Sequence, residues 1–488
     1  MFIGKQKMHI NGKWIGKTKN FDDHDPATGK VIARFPVGDE DDVDEAVFAA
    51  HKALDAWSKT PPPTRAHMIL KVSMMLKADK ERLGRLVSAE MGKVLPEALG
   101  DVQEAIDMLE YFSGEGRRLL GNTTTSELRS KFCMTVRRPV GVMGLITPWN
   151  FPFAIPAWKL GAALVCGNTV VLKPSSDTPL CAYEMVRLFE KAGLPPGVLN
   201  LVTGPASSVG EAMVKHPEID GISFTGSKAT GEWITKNAGL KKLGLELGGK
   251  NAIIVMDDAD LELAVDGIIW GAFGTTGQRC TSASRVIADS CIKEKLVKEI
   301  VARATKLRLG SGLLKTTDVG PLINKAALEK TEKYVRIGQD EGAKLLCGGK
   351  RGPGKGFFFQ PTVFDSVQKE MRIAREEIFG PVLSVLEFDE LDEAIDIANS
   401  VEYGLSSSIY TKDVNNAFRA IEGIESGITY VNSSTIGAEV HLPFGGVKGT
   451  GHTREAGILG IDEFSHVKSV YVDYSGKLQR AQIDDYSK

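Results

Sequence analysis

Cys280 is the residue of this sequence whose surroundings best suit covalent chemistry. It lies in the polar segment FGTTGQRCTSASR, directly after Arg279. A single cysteine is usually a small core residue, and that interpretation suits Cys166 and Cys181, which lie in apolar helical stretches. Because a neighbouring cation favours the thiolate, the nucleophilic form of cysteine, we predict that Cys280 is a nucleophile.

Asn150 and Glu246 have side chains that would assist such a nucleophile. Asn150, in TPWNFP, follows a predicted strand. It either caps the next helix or directs its amide N–H at the oxyanion that forms when a carbonyl is attacked. Glu246, in LELGG, ends an apolar strand. Burial there would raise the pKa of its carboxyl and suit it to remove a proton from water; an exposed ion pair is the alternative.

Composition excludes several classes of protein. Across 488 residues, 60 Lys and Arg side chains nearly balance 62 Asp and Glu side chains, and 42% of the residues are hydrophobic. These values are typical of a soluble globular protein with two or three domains. They argue against intrinsic disorder, a collagen-like chain and a strongly basic nucleic-acid-binding protein. The six cysteines are scattered and form no C-x-x-C pair, so we expect no disulfide scaffold and no metal.

The sequence predicts no targeting or membrane segment. Its first residues lack the apolar core of a signal peptide. Residues 139–158 are long enough to span a bilayer, but Pro148, Pro152 and Pro156 would break a lipid-exposed helix. We therefore expect buried strand and loop at this stretch, in a cytoplasmic protein with reduced thiols.

Apolar patterns predict an α/β fold. After an opening hairpin, apolar residues recur at helical spacing near residues 43–57, 68–77 and 97–111. From about residue 140, the short apolar runs GVMGLIT, TVVLKP, VLNLV and GISFTG alternate with helical segments. This alternation indicates a Rossmann-like, doubly wound parallel sheet.

A second α/β series is predicted from about residue 251 to about residue 440. It contains the strands KNAIIVM, SRVIAD and SVLEF, with a loop at GFFFQPTVF. The segment GGKRGPGKG is a predicted surface hairpin, because no helix follows it to form a phosphate loop. The last alternating segment, HVKSVYVDYSG, is predicted to be an exposed strand that pairs with its own sheet or with another subunit.

Three motifs are candidates for binding a dinucleotide. FTGSKATG lies between a strand and a helix, where backbone N–H groups attract phosphate, although it lacks G-x-G-x-x-G spacing. Lys173 lies at the carboxyl end of a predicted parallel strand, the edge at which doubly wound folds bind ligands. EEIFGPV places Glu376 and Glu377 next to Phe379. It is either a helix start with a turn, or a carboxylate site for ribose hydroxyls.

The ordered set PWNFP, KPSS, FTGS, LELGG, GQRC, EEIFGPV and PFGG resembles the NAD(P)-dependent aldehyde dehydrogenase superfamily over nearly the whole chain. The resemblance implies a doubly wound cofactor domain, a second α/β catalytic domain and a small β oligomerisation hairpin that makes the protein a homo-oligomer, either a dimer or a tetramer. The implied boundaries are 1–124 and 140–250 for the NAD(P)-binding domain, 251–440 for the catalytic domain, 125–139 and 467–488 for the oligomerisation strands, and 441–466 for a return to the cofactor domain.

The resemblance also implies a reaction, in which an aldehyde is oxidised to its carboxylic acid through a cysteine thiohemiacetal and a thioester. Cys280 matches the nucleophile, Asn150 and the Cys280 backbone N–H match the oxyanion hole, and Glu246 matches the base that activates water. Lys159 and Glu455 match positions thought to assist proton relay.

The cofactor positions follow from the same resemblance. Lys173 and Glu377 match ribose-binding positions, Gly204, Gly226 and Ser227 lie around the pyrophosphate, and Phe379 lies by the nicotinamide. The full implied set is Ile146, Thr147, Trp149, Lys173, Ser175, Ser176, Gly204, Phe224, Gly226, Ser227, Leu247, Glu377 and Phe379.

Ser176 departs from the pattern of NAD-preferring members, which usually carry a glutamate three residues after the lysine of the KP motif. A carboxylate there would repel a 2′-phosphate, and a serine removes that repulsion. We therefore predict use of both NAD⁺ and NADP⁺, with a preference for NADP⁺.

The expected substrate is a short carboxylated semialdehyde, such as 2-oxoglutarate semialdehyde or succinate semialdehyde. Arg279 and Arg285 are the candidate anchors for its carboxylate, although Arg279 could instead form a structural ion pair. Gly274 stands where some succinate-semialdehyde members place an arginine, which weakens that particular assignment. The expected substrate-binding residues are Phe151, Trp158, Arg279, Thr281, His441 and Phe444.

Three alternatives remain open. The first is a general aliphatic aldehyde dehydrogenase. The second is a CoA-acylating dehydrogenase, a branch that typically lacks the general base, so that Glu246 argues against it. The third is a non-catalytic relative, against which the joint presence of Cys280, Asn150 and Glu246 argues.

Overall fold

The computed structural model describes residues 4–483. Its strands are β1 (Met8–Ile10), β2 (Lys13–Ile15), β3 (Asn20–His24), β4 (Val31–Pro36), β5 (Thr123–Thr124), β6 (Lys131–Pro139), β7 (Val142–Ile146), β8 (Thr169–Lys173), β9 (Leu199–Leu201), β10 (Gly221–Thr225), β11 (Lys242–Glu246), β12 (Asn251–Val255), β13 (Ala283–Asp289), β14 (Lys344–Cys347), β15 (Thr362–Asp365), β16 (Val382–Phe388), β17 (Tyr403–Gly404), β18 (Ser406–Tyr410), β19 (Ile428–Val431), β20 (Val447–Lys448) and β21 (Ser465–Asp473).

The helices are α1 (Glu40–Lys59), α2 (Pro62–Ala78), α3 (Lys80–Glu90), α4 (Leu95–Glu115), α5 (Ala154–Cys166), α6 (Pro179–Lys191), α7 (Glu211–Lys215), α8 (Lys228–Asn237), α9 (Leu261–Phe273), α10 (Ser290–Ala304), α11 (Lys325–Asp340), α12 (Arg372–Arg375), α13 (Leu391–Asn399), α14 (Val414–Gly423) and α15 (Gly460–Glu463). The three helices predicted before residue 140 correspond to α1, α2 and α4. The pattern does not predict α3, whose Gly84 interrupts the apolar spacing and lies against Leu99 of α4.

A seven-stranded sheet in the order β11-β10-β7-β8-β9-β1-β2 carries the first half of the chain. The first five strands in this order, from β11 to β9, are parallel, and β1 joins antiparallel to β9. The register sets Ile146 beside Lys173 and Thr225 beside Glu246. The predicted doubly wound sheet is therefore confirmed, and its carboxyl-terminal edge brings these side chains together.

A second seven-stranded sheet, in the order β14-β15-β16-β13-β12-β18-β19, carries much of the second half, and the predicted α/β fold class is confirmed. The prediction of a loop throughout GFFFQPTVF is wrong, because β15 pairs in parallel with β16, with Thr362 opposite Val382. Phe359 and Phe364 are both fully buried, and this burial holds the short segment after Pro361 in the sheet.

A smaller sheet joins two distant parts of the chain. The strand β21 pairs antiparallel with β6 over nine positions, from Ser465 opposite Pro139 to Asp473 opposite Lys131. The predicted terminal strand thus pairs within its own chain. Residues 484–488 of the implied oligomerisation segment lie outside the described residues.

The uncharged stretch 139–158 enters the core. It forms β7 and the beginning of α5, a helix whose residues are all buried. Across residues 4–483, the structure contains no helix that is both long and apolar enough to span a bilayer.

Candidate active site

Two cavities meet at Cys280. The larger one, of about 230 Å³, is lined by Pro148, Trp149, Asn150, Thr225, Gly226, Ser227, Leu247, Gly248, Cys280, Ala327, Lys330, Glu377, Ile378 and Phe379. The inner one, of about 90 Å³, is lined by Glu104, Phe151, Ala154, Ile155, Trp158, Thr225, Glu246, Leu247, Arg279, Cys280, Thr281, Tyr430, Gly437, Ala438, Phe444 and Glu455. The predicted nucleophile therefore has a larger cavity on one side and a smaller one on the other.

A tightly bonded loop holds Cys280 in place. It begins with the turn Gly274–Gly277, in which Thr275 and Thr276 have φ of 49° and 59°. Gly277 has φ of 68°, and a Cβ at this position would collide with the carbonyl of Gly380. The buried Gln278 accepts from the Ile323 backbone N–H at 2.9 Å. Beyond the loop, Nδ2 of Asn251 donates to the Cys280 carbonyl at 2.7 Å.

The expectation that Arg279 stabilises the Cys280 thiolate is wrong. The guanidinium turns towards Glu97, with Nη2 at 3.1 Å from Oε1, and its Nε donates to Thr275 Oγ1 at 2.9 Å. Burial, followed by the carboxylates of Glu377 and Glu246, raises the pKa of the Cys280 thiol to about 12. The resting sulfur is therefore protonated at neutral pH.

Asn150 is held against the nucleophile loop. The residue is buried, and its Nδ2 donates to the carbonyl of Gln278 at 3.1 Å. It caps no helix, because α5 begins after Phe153. Its amide group therefore borders the larger cavity next to Cys280, and one N–H of the amide remains for a substrate oxygen.

Glu246 is the last residue of β11 and is only 3% exposed. It forms no ion pair with any of the described residues, so the alternative of an exposed ion pair is excluded. Burial, followed by the charge of Glu455, raises the pKa of the Glu246 carboxyl well above its usual value. The carboxyl thus has the raised pKa that the sequence predicted for a base.

Lys159 and Glu455 lie behind Glu246. Lys159 is fully buried in α5, forms an ion pair with Glu455, and donates to Ser223 Oγ at 2.7 Å. The structure therefore brings together the five side chains that the resemblance placed in the chemistry, namely Asn150, Lys159, Glu246, Cys280 and Glu455.

Six of the thirteen predicted cofactor residues line the larger cavity, namely Trp149, Gly226, Ser227, Leu247, Glu377 and Phe379. The ring of Phe379 meets Trp149 edge-on, with 5.4 Å between ring centroids. Oε1 of Glu377 accepts from the Gly249 N–H at 2.9 Å, and burial raises the pKa of the Glu377 carboxyl.

The other cofactor residues, Ile146, Thr147, Lys173, Ser175, Ser176, Gly204 and Phe224, lie outside this lining, at or near the carboxyl ends of β7 to β10. Burial lowers the pKa of Lys173 to about 8, and its Nζ donates to the Pro174 carbonyl at 3.1 Å. Ser176 Oγ donates to the Gly204 carbonyl at 3.1 Å. Thr147 Oγ1 is buried without a hydrogen-bond partner. The Thr147 hydroxyl and the Lys173 ammonium group at this edge of the sheet can therefore donate further hydrogen bonds, which suits the binding of a dinucleotide.

The predicted substrate residues divide between two spaces. Phe151, Trp158, Arg279, Thr281 and Phe444 line the inner cavity. His441 does not. It lies in an outer chamber of about 660 Å³, where its side chain is 59% exposed and lies 3.4 Å from Glu439. His441 therefore lies at the entrance to the inner cavity, and its role in substrate binding stays a prediction.

Arg285 is not a substrate anchor. The residue is buried in β13 and donates to the carbonyls of Lys250, Ile397 and Ala398. Because those last two carbonyls lie at the end of α13, Arg285 neutralises a helix carboxyl terminus.

Sequence reasoning missed Glu104 and Lys93 near the inner cavity. Glu104 borders both the inner cavity and the outer chamber, and burial raises the pKa of its carboxyl to about 7. Lys93 is fully buried, 3.1 Å from Asp101, with its Nζ 3.7 Å from the centre of the Phe151 ring. Glu104 is one of several charged residues along the amphipathic helix α4. The local sequence does not indicate which of these charged residues faces a pocket.

The chain is similar to known aldehyde dehydrogenases. The family model described as "Aldehyde dehydrogenase family" matches residues 14–470. The chain is 40% identical over 474 residues to the alpha-ketoglutaric semialdehyde dehydrogenase of Bacillus subtilis, with 95% of this chain and 97% of that protein covered. It is 42% identical over 481 residues to the alpha-ketoglutarate semialdehyde dehydrogenase of Haloferax volcanii, with 96% and 99% covered. A crystal structure of betaine aldehyde dehydrogenase from Staphylococcus aureus in complex with NAD⁺ matches with a TM-score of 0.95 at 35% identity, covering 97% of this chain and 95% of that chain.

Replacing Glu246 with glutamine should speed the alkylation of Cys280. The Glu246 carboxylate raises the pKa of the Cys280 thiol, so Glu246→Gln increases the thiolate fraction. At about pH 9 we expect iodoacetamide to modify Cys280 roughly threefold to tenfold faster, as measured by mass spectrometry of the peptide that contains it. Glu439→Gln, in the outer chamber, is the control and should leave the rate unchanged. Slower alkylation in Glu246→Gln would contradict this electrostatic account.

Proposed function

The chain belongs to the aldehyde dehydrogenase family, whose members are NAD(P)-dependent oxidoreductases, and we propose that it oxidises a short carboxylated semialdehyde to the corresponding acid through a covalent intermediate on Cys280. The observation that carries this proposal is the convergence of Cys280, Asn150 and Glu246 on the two adjoining cavities. The similarity to relatives that are named semialdehyde dehydrogenases supports the substrate class.

Attack on the aldehyde begins at the Cys280 sulfur, after the thiol has given its proton to solvent water; the thiolate regains a proton from water once the acid has left. The carbonyl oxygen becomes an oxyanion, which Asn150 Nδ2 and the Cys280 backbone N–H stabilise as hydrogen-bond donors. NAD(P)⁺, when bound, supplies the acceptor for the hydride that leaves the thiohemiacetal carbon. Lys173, Glu377 and the Gly226–Ser227 turn would hold it, and the thioester stays on Cys280.

Hydrolysis of the thioester is the task of Glu246. Its carboxylate removes a proton from the attacking water, which releases the carboxylic acid and the free sulfur. Because burial raises the pKa of Glu246, the base form is populated only at a higher pH than for an ordinary carboxylate. Turnover therefore falls on the acid side as Glu246 becomes protonated.

Arg279 supports a substrate with a distal carboxylate. Its guanidinium borders the inner cavity that Cys280 also lines, so a short semialdehyde could place its aldehyde at the sulfur and its acid group near Arg279. The pairing with Glu97 neutralises part of that charge. Because burial raises the pKa of Glu104 to about 7, its carboxyl is only partly ionised at neutral pH and repels an anion less than an ordinary carboxylate would.

A general aliphatic aldehyde dehydrogenase is the second candidate. Phe151, Trp158 and Phe444 give the inner cavity an aromatic lining, with the Trp158 and Phe444 rings 4.8 Å apart. Such a lining also accepts an alkyl chain. A CoA-acylating enzyme is less well supported, because Glu246 is retained and buried beside the nucleophile.

We further propose dual cofactor use with a preference for NADP⁺, since Ser176 brings no carboxylate to the ribose edge. The domain boundaries given above, a cytoplasmic location and a dimeric or tetrameric assembly remain proposals. Exposed apolar side chains on β6 and β21, namely Phe132, Val467, Tyr471 and Val472, support the assembly.

The covalent route is tested by separating its two stages. With an aldehyde panel and either cofactor, Cys280→Ala should abolish NAD(P)H formation, and Asn150→Ala should slow it about a hundredfold or more. Glu246→Gln should retain a single burst of NAD(P)H and lose steady turnover. Stopped-flow absorbance measures both phases, with and without CoA. Turnover by the Cys280→Ala variant would contradict the proposal. Turnover of the unchanged enzyme only in the presence of CoA would favour the CoA-acylating alternative.

Substrate class is tested at Arg279. Arg279→Leu should raise KM for 2-oxoglutarate semialdehyde about tenfold or more, because one charge-assisted interaction is lost, and should leave KM for hexanal nearly unchanged. Arg279→Lys keeps the positive charge and is the matched control. Equal effects of Arg279→Leu on both aldehydes would favour the aliphatic candidate.

Cofactor preference is tested at Ser176. Ser176→Glu should lower kcat/KM for NADP⁺ about tenfold or more through charge repulsion and change that for NAD⁺ little. Ser176→Ala, which adds no charge, controls for the loss of the hydroxyl. Steady-state kinetics with both cofactors gives the ratio. Normal NAD⁺ turnover with undetectable NADP⁺ turnover in the unchanged enzyme would disprove dual use.

A further inference from the structure

Glu463 is a buried carboxyl that the mechanism above does not use. It ends the helical turn α15 and is 5% exposed. Neither of its carboxylate oxygens has a hydrogen-bond partner of normal geometry among residues 4–483. Burying a carboxyl without partners is costly, so a group in this position calls for an explanation.

The sheet provides a space for this carboxyl. Gly244 lies within β11 directly opposite Ser223 of β10, and a Cβ on Gly244 would collide with Oε1 of Glu463. A glycine inside a strand often marks a close approach by another group. The missing side chain at residue 244 therefore lets the Glu463 carboxyl reach the face of the sheet where Ser223 lies.

Ser223 connects this carboxyl to the active site. Its hydroxyl accepts from Lys159 Nζ at 2.7 Å, and the same ammonium pairs with Glu455. Glu455 and Glu246 line the inner cavity together. A row of groups that can carry a proton thus extends along this face of the sheet, from Glu246 through Glu455, Lys159 and Ser223 to Glu463.

The far end of the row is near the surface. Lys242, the first residue of β11, is half-buried, and its Nζ donates to the backbone carbonyls of Asp462 and Ser465 at 2.6 and 2.7 Å. These two residues flank Glu463 and its neighbour Phe464 in the chain. The Lys242 ammonium group, which solvent partly reaches, therefore lies close to Glu463.

We propose that Glu463 accepts the proton that Glu246 takes from water during hydrolysis. Glu246 thereby returns to its carboxylate form before the next turnover. This inference rests on the proposed hydrolytic function. In each cycle the Glu246 carboxylic acid loses its proton to Glu455. Lys159 passes one ammonium proton through the Ser223 hydroxyl to Glu463 and regains one from Glu455. Glu463 then releases the proton to water beside Lys242, so that one proton leaves and every other group returns to its starting state.

The charges around Glu463 suit this role. The groups that face it are Lys159 from α5, Glu455 from the preceding segment, Lys242 from β11 and the Ser223 hydroxyl from β10. Burial and Glu455 raise the pKa of Glu463 while the two lysines lower it, and the result is about 7. A carboxyl with that pKa both takes up and releases a proton near neutral pH.

The hydrolysis of p-nitrophenyl acetate tests the proposal without any cofactor. Release of nitrophenolate in the burst reports acylation of Cys280, and the later steady phase reports hydrolysis of the acyl-enzyme. In dilute buffer, Glu463→Gln should leave the burst unchanged and slow the steady phase about fivefold to tenfold. Added imidazole, a small proton carrier, should restore the steady rate, and Glu463→Asp should retain most of it. Asp462→Asn, at the adjacent exposed residue, is the control.

The outcomes distinguish this inference from the proposed function. If the unchanged enzyme gives no burst, or if Cys280→Ala keeps it, the proposed function fails. If the burst is normal but Glu463→Gln matches the unchanged enzyme in steady rate, pH profile and buffer dependence, the inference alone is overturned. A slow steady phase that imidazole does not restore would assign Glu463 a structural role only. Ser223→Ala breaks the same row and gives the same test if Glu463→Gln does not fold.

Discussion

The parallel register of the first sheet is the constraint on which the rest of the site depends. Because β7, β8, β10 and β11 run in one direction, their carboxyl ends share one edge, with Ile146 beside Lys173 and Thr225 beside Glu246. The loop that carries Cys280 comes from the other sheet and is fixed by Gln278 and Asn251. The nucleophile Cys280 and the base Glu246 thus come from two different sheets. The relative position of the two sheets determines how the two side chains face each other.

Burial at this junction shifts the pKa of several ionisable groups. It raises the pKa values of Cys280, Glu246 and Glu377 and lowers that of Lys173. Each of these shifts disfavours the charged form, as expected where solvent is excluded. A charge that develops at Cys280 during reaction is therefore stabilised mainly by fixed donors such as the Asn150 amide.

Local patterns were sufficient to predict most of the fold. The β7 to β13 strands and their intervening helices follow from short apolar runs, and the order of motifs was enough to identify the family. The catalytic roles assigned through that resemblance stay predictions. Side-chain direction was not predictable. Arg279 and Arg285 are both arginines near the nucleophile, but one pairs with Glu97 and the other binds backbone carbonyls of α13. Those partners are distant in sequence, and no local pattern indicates them.

The same limit applies to Glu104, Glu463 and β15. The surroundings of Glu104 on α4, the burial of Glu463 on α15 and the pairing of β15 all depend on tertiary contacts. The local sequence around each of them is typical of an ordinary helix, helical turn or loop. Gly244 is an example. The space that its missing side chain leaves is filled by the carboxyl of Glu463, a residue more than two hundred positions away in the sequence.

The pairing of β21 with β6 has a consequence for biosynthesis. The segment that carries Glu455 lies just before β21, and the nine-position ladder to β6 anchors it from behind. A ribosome makes β21 after the residues of both large sheets, including those around Cys280, Asn150 and Glu246. Both large sheets can therefore form before β21 pairs with β6, and the segment that carries Glu455 is anchored only after β21 has been made.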